Sequence, residues 1–301
     1  MRISHDLTAL VGQTPLVELQ DLPCRILVKI ESQNPTGSVK DRVALAMLQD
    51  AKARGLLSPG GTIVEPTSGN TGIGLCALAA AMGYKAVIVM PENMSKERQQ
   101  LMKAYGAERV LTPAAGGMAA AVEAAKTIAR EQGAYLPDQF SNPANPEAHY
   151  RTTGPEIWQQ TQGQVDLFVA GIGTGGTVTG TGRFLKEQNP NIRVFGIEPA
   201  SSPVLTQGLK GPHKIQGIGA GFVPAALDLS VLDGVFTVTD EDAMDTVRDL
   251  ARKAGILAGI SAGANLWCAR HLAALPENRG KTIVTILPDS GQRYLSTGVY
   301  D

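Results

Sequence analysis

The sequence predicts an α/β protein with two open, mainly parallel, twisted sheets, helices on both faces of each, and an active site in the cleft between two domains. Three observations predict this class. Short apolar runs alternate with helical patterns along almost the whole chain. These runs are β-branched and continuously apolar, as in parallel strands that are buried on both faces. Glycines also gather in short clusters after some of the runs, as in loops whose backbone lines a ligand.

The elements follow from these patterns in chain order. The apolar runs predict strands at 26–30, 62–65, 85–90, 109–112, 167–170, 194–198, 234–238 and 282–287. Amphipathic stretches between them predict helices at 39–54, 71–82, 96–105, 117–132, 146–160, 176–188, 240–254 and 262–274. In helix 240–254, for example, Asp240 is the predicted N-cap and Ala243, Val247 and Leu250 form the apolar stripe.

Two Asn-Pro steps mark the predicted boundary between the domains. Asn142-Pro143 and Asn145-Pro146 fall within six residues, and a proline disfavours helical backbone in the residue before it. A second break is predicted at Asn34-Pro35. The sequence therefore predicts a smaller, mobile N-terminal domain of residues 34–143 and a second domain of residues 1–33 plus 144–301.

Composition excludes several classes of protein. The chain has 301 residues, 43% of them hydrophobic, so it can bury two cores and global disorder is not expected. Its net charge of -1 argues against a nucleic-acid or anionic-membrane partner. We see neither an apolar leader at the start nor an uninterrupted apolar run long enough to span a membrane, so a cytoplasmic location is predicted.

The cysteines and histidines predict no metal site. Cys24, Cys76 and Cys268 are scattered without metal or redox spacing and are predicted to be small buried hydrophobes in a reducing compartment. The histidines have no paired spacing and are predicted to be surface or structural residues; they are His5, His149, His213 and His271.

A lysine at the start of a predicted helix is the first candidate for chemistry. In the run NPTGSVKDR, Lys40 follows a Pro/Gly turn, and Ser38 with Asp41 predicts a capping box. The helix dipole and the unpaired N–H groups of a helix start disfavour the charged form of a lysine. Such a lysine can act as a nucleophile or form a Schiff base, although an ordinary solvated lysine is the alternative.

The loop of residues 65–72 predicts an anion site. It follows a strand and begins a helix, where exposed backbone N–H groups attract a carboxylate or a phosphate. An ordinary helix cap needs one polar side chain, whereas this loop supplies four: Thr67, Ser68, Asn70 and Thr71.

A glycine-rich loop predicts a second anion site. Gly173-Thr174-Gly175-Gly176-Thr177 also joins a strand to a helix, and its N–H groups and two hydroxyls suit one phosphate. It lacks the lysine of a Walker loop, but the glycines from Gly171 onward nearly fit G-x-G-x-x-G. Glu198 lies about where a dinucleotide site needs an acidic ribose partner, so an NAD(P)-binding protein is an alternative.

The run Gly259-Ile260-Ser261-Ala262-Gly263 matches the G-x-S-x-G pattern of serine hydrolases. That reaction needs an acid and then a histidine further along the chain. His271 is the only histidine after Ser261, and it lies ten residues on in the same predicted helix. No acidic residue lies between the two, so a hydrolase is disfavoured. In a further run, Gly217 and Gly219 allow a ligand to approach the backbone closely.

These motifs together resemble the cysteine synthases (O-acetylserine sulfhydrylases), which belong to the fold-type II pyridoxal-phosphate enzymes. The similarity runs from Gly12 to Thr297, with the motifs in family order: NPTGSVKDR, PTSGNTG, GTGGT, KIQGIGAGF, GISAG and PDSGQRYLST. The resemblance implies pyridoxal 5'-phosphate as cofactor. It implies β-replacement of O-acetyl-L-serine by sulfide, through an α-aminoacrylate intermediate, to give L-cysteine and acetate. It also implies a homodimer.

The resemblance assigns roles to the candidate residues. Lys40 carries the cofactor and is the catalytic base. The residues that bind the cofactor are then Lys40, Asn70, Gly173, Thr174, Gly175, Gly176, Thr177 and Ser261, with Ser261 facing the pyridine nitrogen. Those that bind the substrate are Thr67, Ser68, Asn70, Thr71, Gln139, Gly217 and Gly219.

Alternatives within the family stay open. Residues 214–222 are similar to the A-type cysteine synthases, whereas residues 93–108 and the end at Asp301 are more similar to the thiosulfate-using B-type. A cystathionine β-synthase-like β-replacement, a complex with serine acetyltransferase and a non-catalytic protein on the same scaffold are further possibilities.

Overall fold

The computed structural model describes residues 3–20 and 24–301. In these ranges the strands, β1 to β9 in chain order, are Leu16–Leu19, Arg25–Ile30, Thr62–Pro66, Lys85–Pro91, Glu108–Thr112, Leu167–Gly171, Arg193–Pro199, Gly234–Val238 and Thr282–Leu287. The α-helices, α1 to α10, are Lys40–Ala53, Asn70–Met82, Lys96–Ala104, Gly117–Gln132, Ala144–Ala148, Gly154–Gln160, Gly176–Gln188, Val204–Gln207, Asp240–Ala254 and Ile260–Ala274. Every predicted strand is present, and the predicted α/β class with two mainly parallel sheets is confirmed.

The chain divides into two compact units. The first unit is Met1–Val11 with Lys40–Ala144, and the second is Gly12–Val39 with Asn145–Asp301. The start of the chain was predicted to belong to the second domain, but it groups with the first unit, because Leu7 and Val11 pack against the core of that unit. The segment before Lys40 groups with the second unit, where the Asn34 side chain accepts the Gly12 N–H at 2.8 Å and donates to the Glu31 carboxylate at 2.8 Å.

The first unit is built on the parallel sheet β3-β4-β5. On one face, α1 and α2 pack through apolar side chains that include Val43, Met47, Ile73 and Leu78. On the other face, α4 packs through small residues against β3 and β4, namely Ala121, Ala125 and Ala129. The segment after α4 then runs alongside β3, since the Val64 N–H donates to the Tyr135 carbonyl at 2.8 Å.

The second unit is built on a six-stranded sheet in the order β1-β2-β9-β6-β7-β8. All of its neighbours are parallel except β1 and β2. One face is covered by α9 and α10, and the other by α6 and α7. Strand β1 was not predicted, because Leu16, Val17 and Glu18 are not buried and so form neither a continuous apolar run nor a clean alternation.

The helix predicted at 146–160 is broken in the structure. It consists of α5, a π-helical turn His149–Thr153, and α6. Pro155 has no N–H, so it cannot donate to the carbonyl of Arg151 and regular α-helical bonding cannot continue through this stretch. π-helical turns are rare in proteins as a whole, but those that occur are often found at functional sites. This one contains His149.

Candidate active site

Lys40 is the first residue of α1 and is half-buried. The turn before it is ordered by hydrogen bonds within the second unit. Gly37 has φ +82° and donates to the Asn34 carbonyl at 2.8 Å, and the Val39 N–H donates to the Pro288 carbonyl, just after β9, at 2.8 Å. The predicted position of the lysine at a helix start after a Pro/Gly turn is therefore confirmed.

The polar loop 67–71 joins β3 to α2, as predicted. The Thr67 N–H donates to the Val89 carbonyl of β4 at 3.1 Å, and the Gly69 N–H approaches the Thr67 hydroxyl at 3.4 Å. Gly69 is the N-cap residue of α2, and no side-chain cap is found there among the described residues. The first N–H groups of α2 thus face the loop that carries the predicted carboxylate ligands.

Gln139 is brought to α2 by the tertiary structure. Its side-chain oxygen accepts the Thr71 hydroxyl at 2.6 Å, and both residues are buried. The Glu65 carboxyl group, which was not among the predicted site residues, accepts the backbone N–H groups of Asp138 at 2.9 Å and Gln139 at 3.2 Å. The first unit therefore gathers Thr67, Thr71 and Gln139 around the end of one strand.

The glycine-rich loop joins β6 to α7, as predicted. Gly175 is the N-cap residue of α7 with φ +83°, a left-handed conformation that favours glycine, and no side-chain cap is found there among the described residues. The loop rests on Asn145, whose side-chain amide donates to the Thr174 hydroxyl at 2.9 Å. A Cβ atom at Gly176 would overlap the Asn145 side-chain oxygen, so this position needs glycine.

This loop fits a phosphate group. An uncapped helix start presents several N–H groups and the positive end of the helix dipole. The Thr174 and Thr177 hydroxyls are additional donors. By contrast, α3 and α9 begin at polar caps, Ser95 and Thr239, whose hydroxyls accept from their own helices.

His149 supports the glycine-rich loop. It is fully buried, its Nδ1 lies 2.9 Å from the Thr153 hydroxyl, and its Nε2 lies 3.2 Å from the Thr177 hydroxyl. His149 is therefore a structural histidine, one of the two alternatives predicted, and it is buried against a candidate site residue. No local pattern predicts the contact, because the two residues are 28 positions apart and meet only when α7 packs on the π-helical turn.

Ser261 is the second residue of α10 and is 3% exposed. A Cβ atom at Gly217, whose φ is +100°, would lie 3.6 Å from the Ser261 hydroxyl oxygen. The structure therefore brings together two of the predicted residues of the second unit. Gly219 is held nearby by its N–H, which donates to the Ile172 carbonyl at 2.9 Å.

The geometry disfavours the serine hydrolase. His271 lies on the same helix as Ser261, ten residues on, which corresponds to about 15 Å along the axis. Its ring stacks on Trp267 and contacts Phe236 edge-on. Such a separation does not allow a nucleophile and its base to hydrogen-bond.

The geometry also disfavours the dinucleotide alternative. Glu198 is 2% exposed, and its carboxylate accepts the backbone N–H groups of Leu205 at 2.7 Å and Thr206 at 3.0 Å. It also accepts the Thr206 hydroxyl at 2.6 Å. A carboxylate engaged in this way is not available to bind a ribose.

Potential metal ligands, thiols and membrane-spanning helices are the remaining features that bear on function. No group of three or more potential metal ligands occurs among residues 3–20 and 24–301. The cysteines are free and buried, as predicted, and burial raises the pKa of the Cys76 thiol to about 12. In the part of the chain that the structure describes, no helix is long and apolar enough to cross a membrane.

Comparison with known proteins agrees with this arrangement. A profile of the family described as pyridoxal-phosphate dependent enzymes matches residues 7–289. A cysteine synthase of Staphylococcus aureus is 52% identical over 300 residues, which cover 98% of this chain and 96% of that protein.

Solved structures are similar over the same length. A crystal structure of a cysteine synthase from Entamoeba histolytica matches with a TM-score of 0.96 and 45% identity, over 99% of this chain and 91% of the other. A crystal structure of an O-ureido-L-serine synthase matches with a TM-score of 0.96 and 44% identity, over 100% of this chain and 96% of the other.

Proposed function

Because the chain belongs to the family of pyridoxal-phosphate dependent enzymes, we propose that it is a cysteine synthase that converts O-acetyl-L-serine and sulfide to L-cysteine and acetate. The observation that carries this proposal is the 52% identity with a cysteine synthase over 98% of the chain. The uncapped helix starts of α2 and α7 support it, since the reaction needs one site for a substrate carboxylate and another for a cofactor phosphate.

The cofactor, when bound, withdraws electrons from the substrate and makes its α-hydrogen acidic. Lys40 would hold the cofactor through its Nζ atom. The same Nζ atom would take the α-proton of the substrate and later return one. A lysine suits this work because its pKa changes readily with its surroundings.

The glycine-rich loop would bind the phosphate of the cofactor through its backbone N–H groups and the hydroxyls of Thr174 and Thr177. Asn145 and His149 support these two hydroxyls from the side of the protein, at 2.9 and 3.2 Å respectively. Asn70, the first residue of α2, would donate to the ring hydroxyl.

Ser261 would face the pyridine nitrogen. Its neutral hydroxyl would stabilise a protonated pyridine nitrogen less than a carboxylate would, and so would support less electron withdrawal from the substrate. That property favours elimination of acetate from the β-carbon over reactions that need a fully developed negative charge on the α-carbon.

The loop 67–71 and Gln139 would bind the α-carboxylate of the substrate. The loop offers backbone N–H groups at the start of α2, and Thr71 is already oriented by its hydrogen bond to Gln139. When the loop contacts the carboxylate it also excludes water, which would otherwise hydrolyse the reactive product of elimination.

The identity of the sulfur donor is a separate proposal. We propose sulfide, with thiosulfate as the B-type alternative. A similar fold also occurs in an O-ureido-L-serine synthase, so the fold does not by itself determine the second substrate. Steady-state rates with sulfide, thiosulfate, homocysteine and hydroxyurea as competing nucleophiles distinguish these cases.

The assembly and the location are also proposals. We propose a homodimer in the cytoplasm, because the sequence resembles a family that is usually dimeric and because free, buried cysteines suit a reducing compartment. Light scattering of the purified protein, alone and mixed with serine acetyltransferase, tests the dimer and the predicted complex.

The test of the reaction is spectroscopic. The purified protein is expected to absorb in the violet region, to change its spectrum on addition of O-acetyl-L-serine, and to recover it on addition of sulfide with release of L-cysteine. A spectrum that responds to a different amino acid would overturn the substrate. A protein that binds no pyridoxal 5'-phosphate would overturn the proposal as a whole.

A further inference from the structure

Glu65 is a buried acid at the end of β3, immediately before the loop 67–71. It is 1% exposed. Its Oε2 atom accepts the Asp138 N–H at 2.9 Å, and its Oε1 atom accepts the Gln139 N–H at 3.2 Å. Both oxygens are therefore directed at the backbone that carries Gln139.

Burying an acid at this place is costly. Burial raises the pKa of the Glu65 carboxyl to about 8, although the two backbone N–H groups act in the opposite direction. A buried carboxyl is tolerated only where its oxygens have partners. The proposed reaction assigns no role to Glu65 itself.

The backbone that Glu65 holds is strained. Asp138 has φ +49°, in the left-handed region that a non-glycine residue seldom adopts. Its carbonyl accepts the N–H groups of Ser141 at 3.1 Å and Asn142 at 2.9 Å, which close a turn around Gln139. Strained conformations persist where the surrounding contacts enforce them, and Glu65 supplies two such contacts.

The turn directs the Gln139 side chain to α2. Gln139 is 7% exposed, and its amide oxygen accepts the hydroxyl of Thr71, which is 3% exposed. A continuous series of short contacts thus leads from Glu65 through the Gln139 backbone and side chain to the start of α2.

We propose that Glu65 is a positioning residue for the substrate α-carboxylate, acting by holding the Gln139 backbone so that the Gln139–Thr71 pair is preformed at the start of α2. The inference rests on the proposed function, which assigns this pair to the carboxylate. A purely structural Glu65 would affect the stability of the protein and leave the affinity for substrate unchanged.

Glu65→Gln tests the proposal in the holoenzyme. The assay is run above about pH 8, where Glu65 is ionised and both of its oxygens are acceptors. Glutamine has the same shape but turns an NH₂ group toward one of the two backbone N–H groups, so one hydrogen bond is lost. We expect KM for O-acetyl-L-serine to rise about tenfold, as for loss of a well-placed hydrogen bond. We expect kcat to stay within about twofold, because carboxylate binding is common to the ground and transition states. An unchanged KM would overturn the proposal.

A double-mutant cycle tests the route of the effect. If Glu65 acts through Gln139, Glu65→Gln should not raise KM further in a Gln139→Ala background. Independent effects would multiply, and that result would overturn the positioning role.

Glu198→Gln is the matched control. Glu198 is also a buried acid at the end of a parallel strand and also accepts two successive backbone N–H groups, but it lies in the second unit and holds α8. We expect its substitution to leave KM for O-acetyl-L-serine unchanged. An equal rise in KM would show that any buried acid has this effect, and would overturn the proposal.

The affinity for L-alanine provides a measurement that does not depend on turnover. L-Alanine carries the α-amino and α-carboxylate groups but has no leaving group, so calorimetry reports its equilibrium affinity without β-elimination. We expect about tenfold weaker binding in Glu65→Gln. If the wild-type holoenzyme binds L-alanine but does not convert O-acetyl-L-serine, the proposed function fails while the role of Glu65 is still decided by this affinity. If it does not bind L-alanine but converts O-acetyl-L-serine, the proposed function stands and the KM measurements decide the role of Glu65.

Hydrogen exchange in the wild-type protein covers the case in which Glu65→Gln does not fold. The Asp138 and Gln139 amides are expected to exchange slowly, as hydrogen-bonded amides do. Exchange as fast as that of exposed loop amides would overturn the proposal.

Discussion

The Asn145 side chain donates to the Thr174 hydroxyl at 2.9 Å, and its oxygen occupies the space that a side chain at Gly176 would need. One asparagine therefore both orients a hydroxyl of the glycine-rich loop and requires glycine at the start of α7. With glycine at positions 175 and 176, neither residue offers a side chain to cap the start of α7.

Gly176→Ala is expected to displace the loop and weaken cofactor binding. Overpacking of this kind costs about 1–3 kcal/mol, which corresponds to a loss of affinity of about 5-fold to 150-fold if the loop bears the strain. Equilibrium titration of the cofactor-free protein with pyridoxal 5'-phosphate measures the loss. Gly234→Ala is the control, because a Cβ atom there would make only ordinary contacts of 3.4 Å with Phe195.

Lys40→Ala is expected to lower kcat by at least about 10³-fold while the protein stays folded, since the substitution removes the proposed proton-transfer group. The measurement is the rate of L-cysteine formation, with circular dichroism to follow folding. Lys52→Ala, an exposed change in the last turn of the same helix, serves as the control and should retain full activity. Substantial turnover by Lys40→Ala would contradict the assignment of the base.

Ser261→Asp is expected to lower the rate of β-replacement by about tenfold or more and to introduce side reactions such as transamination. An acid facing the ring nitrogen would keep it protonated and allow more negative charge on the α-carbon. Ser261→Asn introduces a side chain of the same shape as aspartate but without its charge. It therefore separates the effect of the charge from the effect of crowding at a residue that is 3% exposed. Unchanged products and rates in the aspartate variant would contradict the proposed role of the neutral hydroxyl.

Lys29→Met is expected to destabilise the second unit by about 3–5 kcal/mol. Lys29 is fully buried and lies 2.9 Å from the Glu156 carboxylate, so its loss leaves a buried acid without its cation. Both tryptophans, Trp158 and Trp267, lie in the second unit, so their fluorescence during urea unfolding reports on it.

A second substitution and a surface pair control that experiment. Adding Glu156→Leu to Lys29→Met should recover much of the loss, because no unpaired acid remains. Lys126→Met breaks an exposed pair with Glu123 and should cost less than about 1 kcal/mol. Equal costs for the two single lysine substitutions would show that burial of the pair is unimportant.

The stability of the first unit is expected to fall with rising pH through Glu65. Its pKa is raised from 4.5 to about 8 in the folded protein, so between these values the folded state binds a proton that the unfolded state does not. The contribution of this proton to the free energy of unfolding is therefore fully present below about pH 4.5 and is lost as the pH approaches 8. Over this range the free energy of unfolding falls by at most about 1.4 kcal/mol per pH unit. Hydrogen exchange of first-unit segments, compared between wild type and Glu65→Gln across this range, measures it. A difference that does not vary with pH would contradict the raised pKa.

Much of the fold was predictable because its signals are local. A buried parallel strand is a short β-branched run, so β3, β4, β6 and β9 were found within a residue or so of their ends. The same is true of Lys40 and of the two polar loops, since a cluster of hydroxyls or glycines between a strand and a helix is visible in a few consecutive residues.

Strand β1 and the contacts that support the site were not predicted, because each depends on a partner residue far away in the sequence. β1 is defined by antiparallel pairing with β2 rather than by its own apolar pattern. His149 meets Thr177, Asn145 meets Thr174, and Glu65 meets Gln139 across 28, 29 and 74 positions.

The sequence by itself therefore determined the α/β class, the family, the lysine and the two loops. Only the tertiary structure decided which buried side chains hold those loops in place. The physical reason is that a helix start or a strand follows from neighbouring residues, whereas a buried polar side chain takes its role from whichever donor or acceptor packing brings within about 3 Å of it.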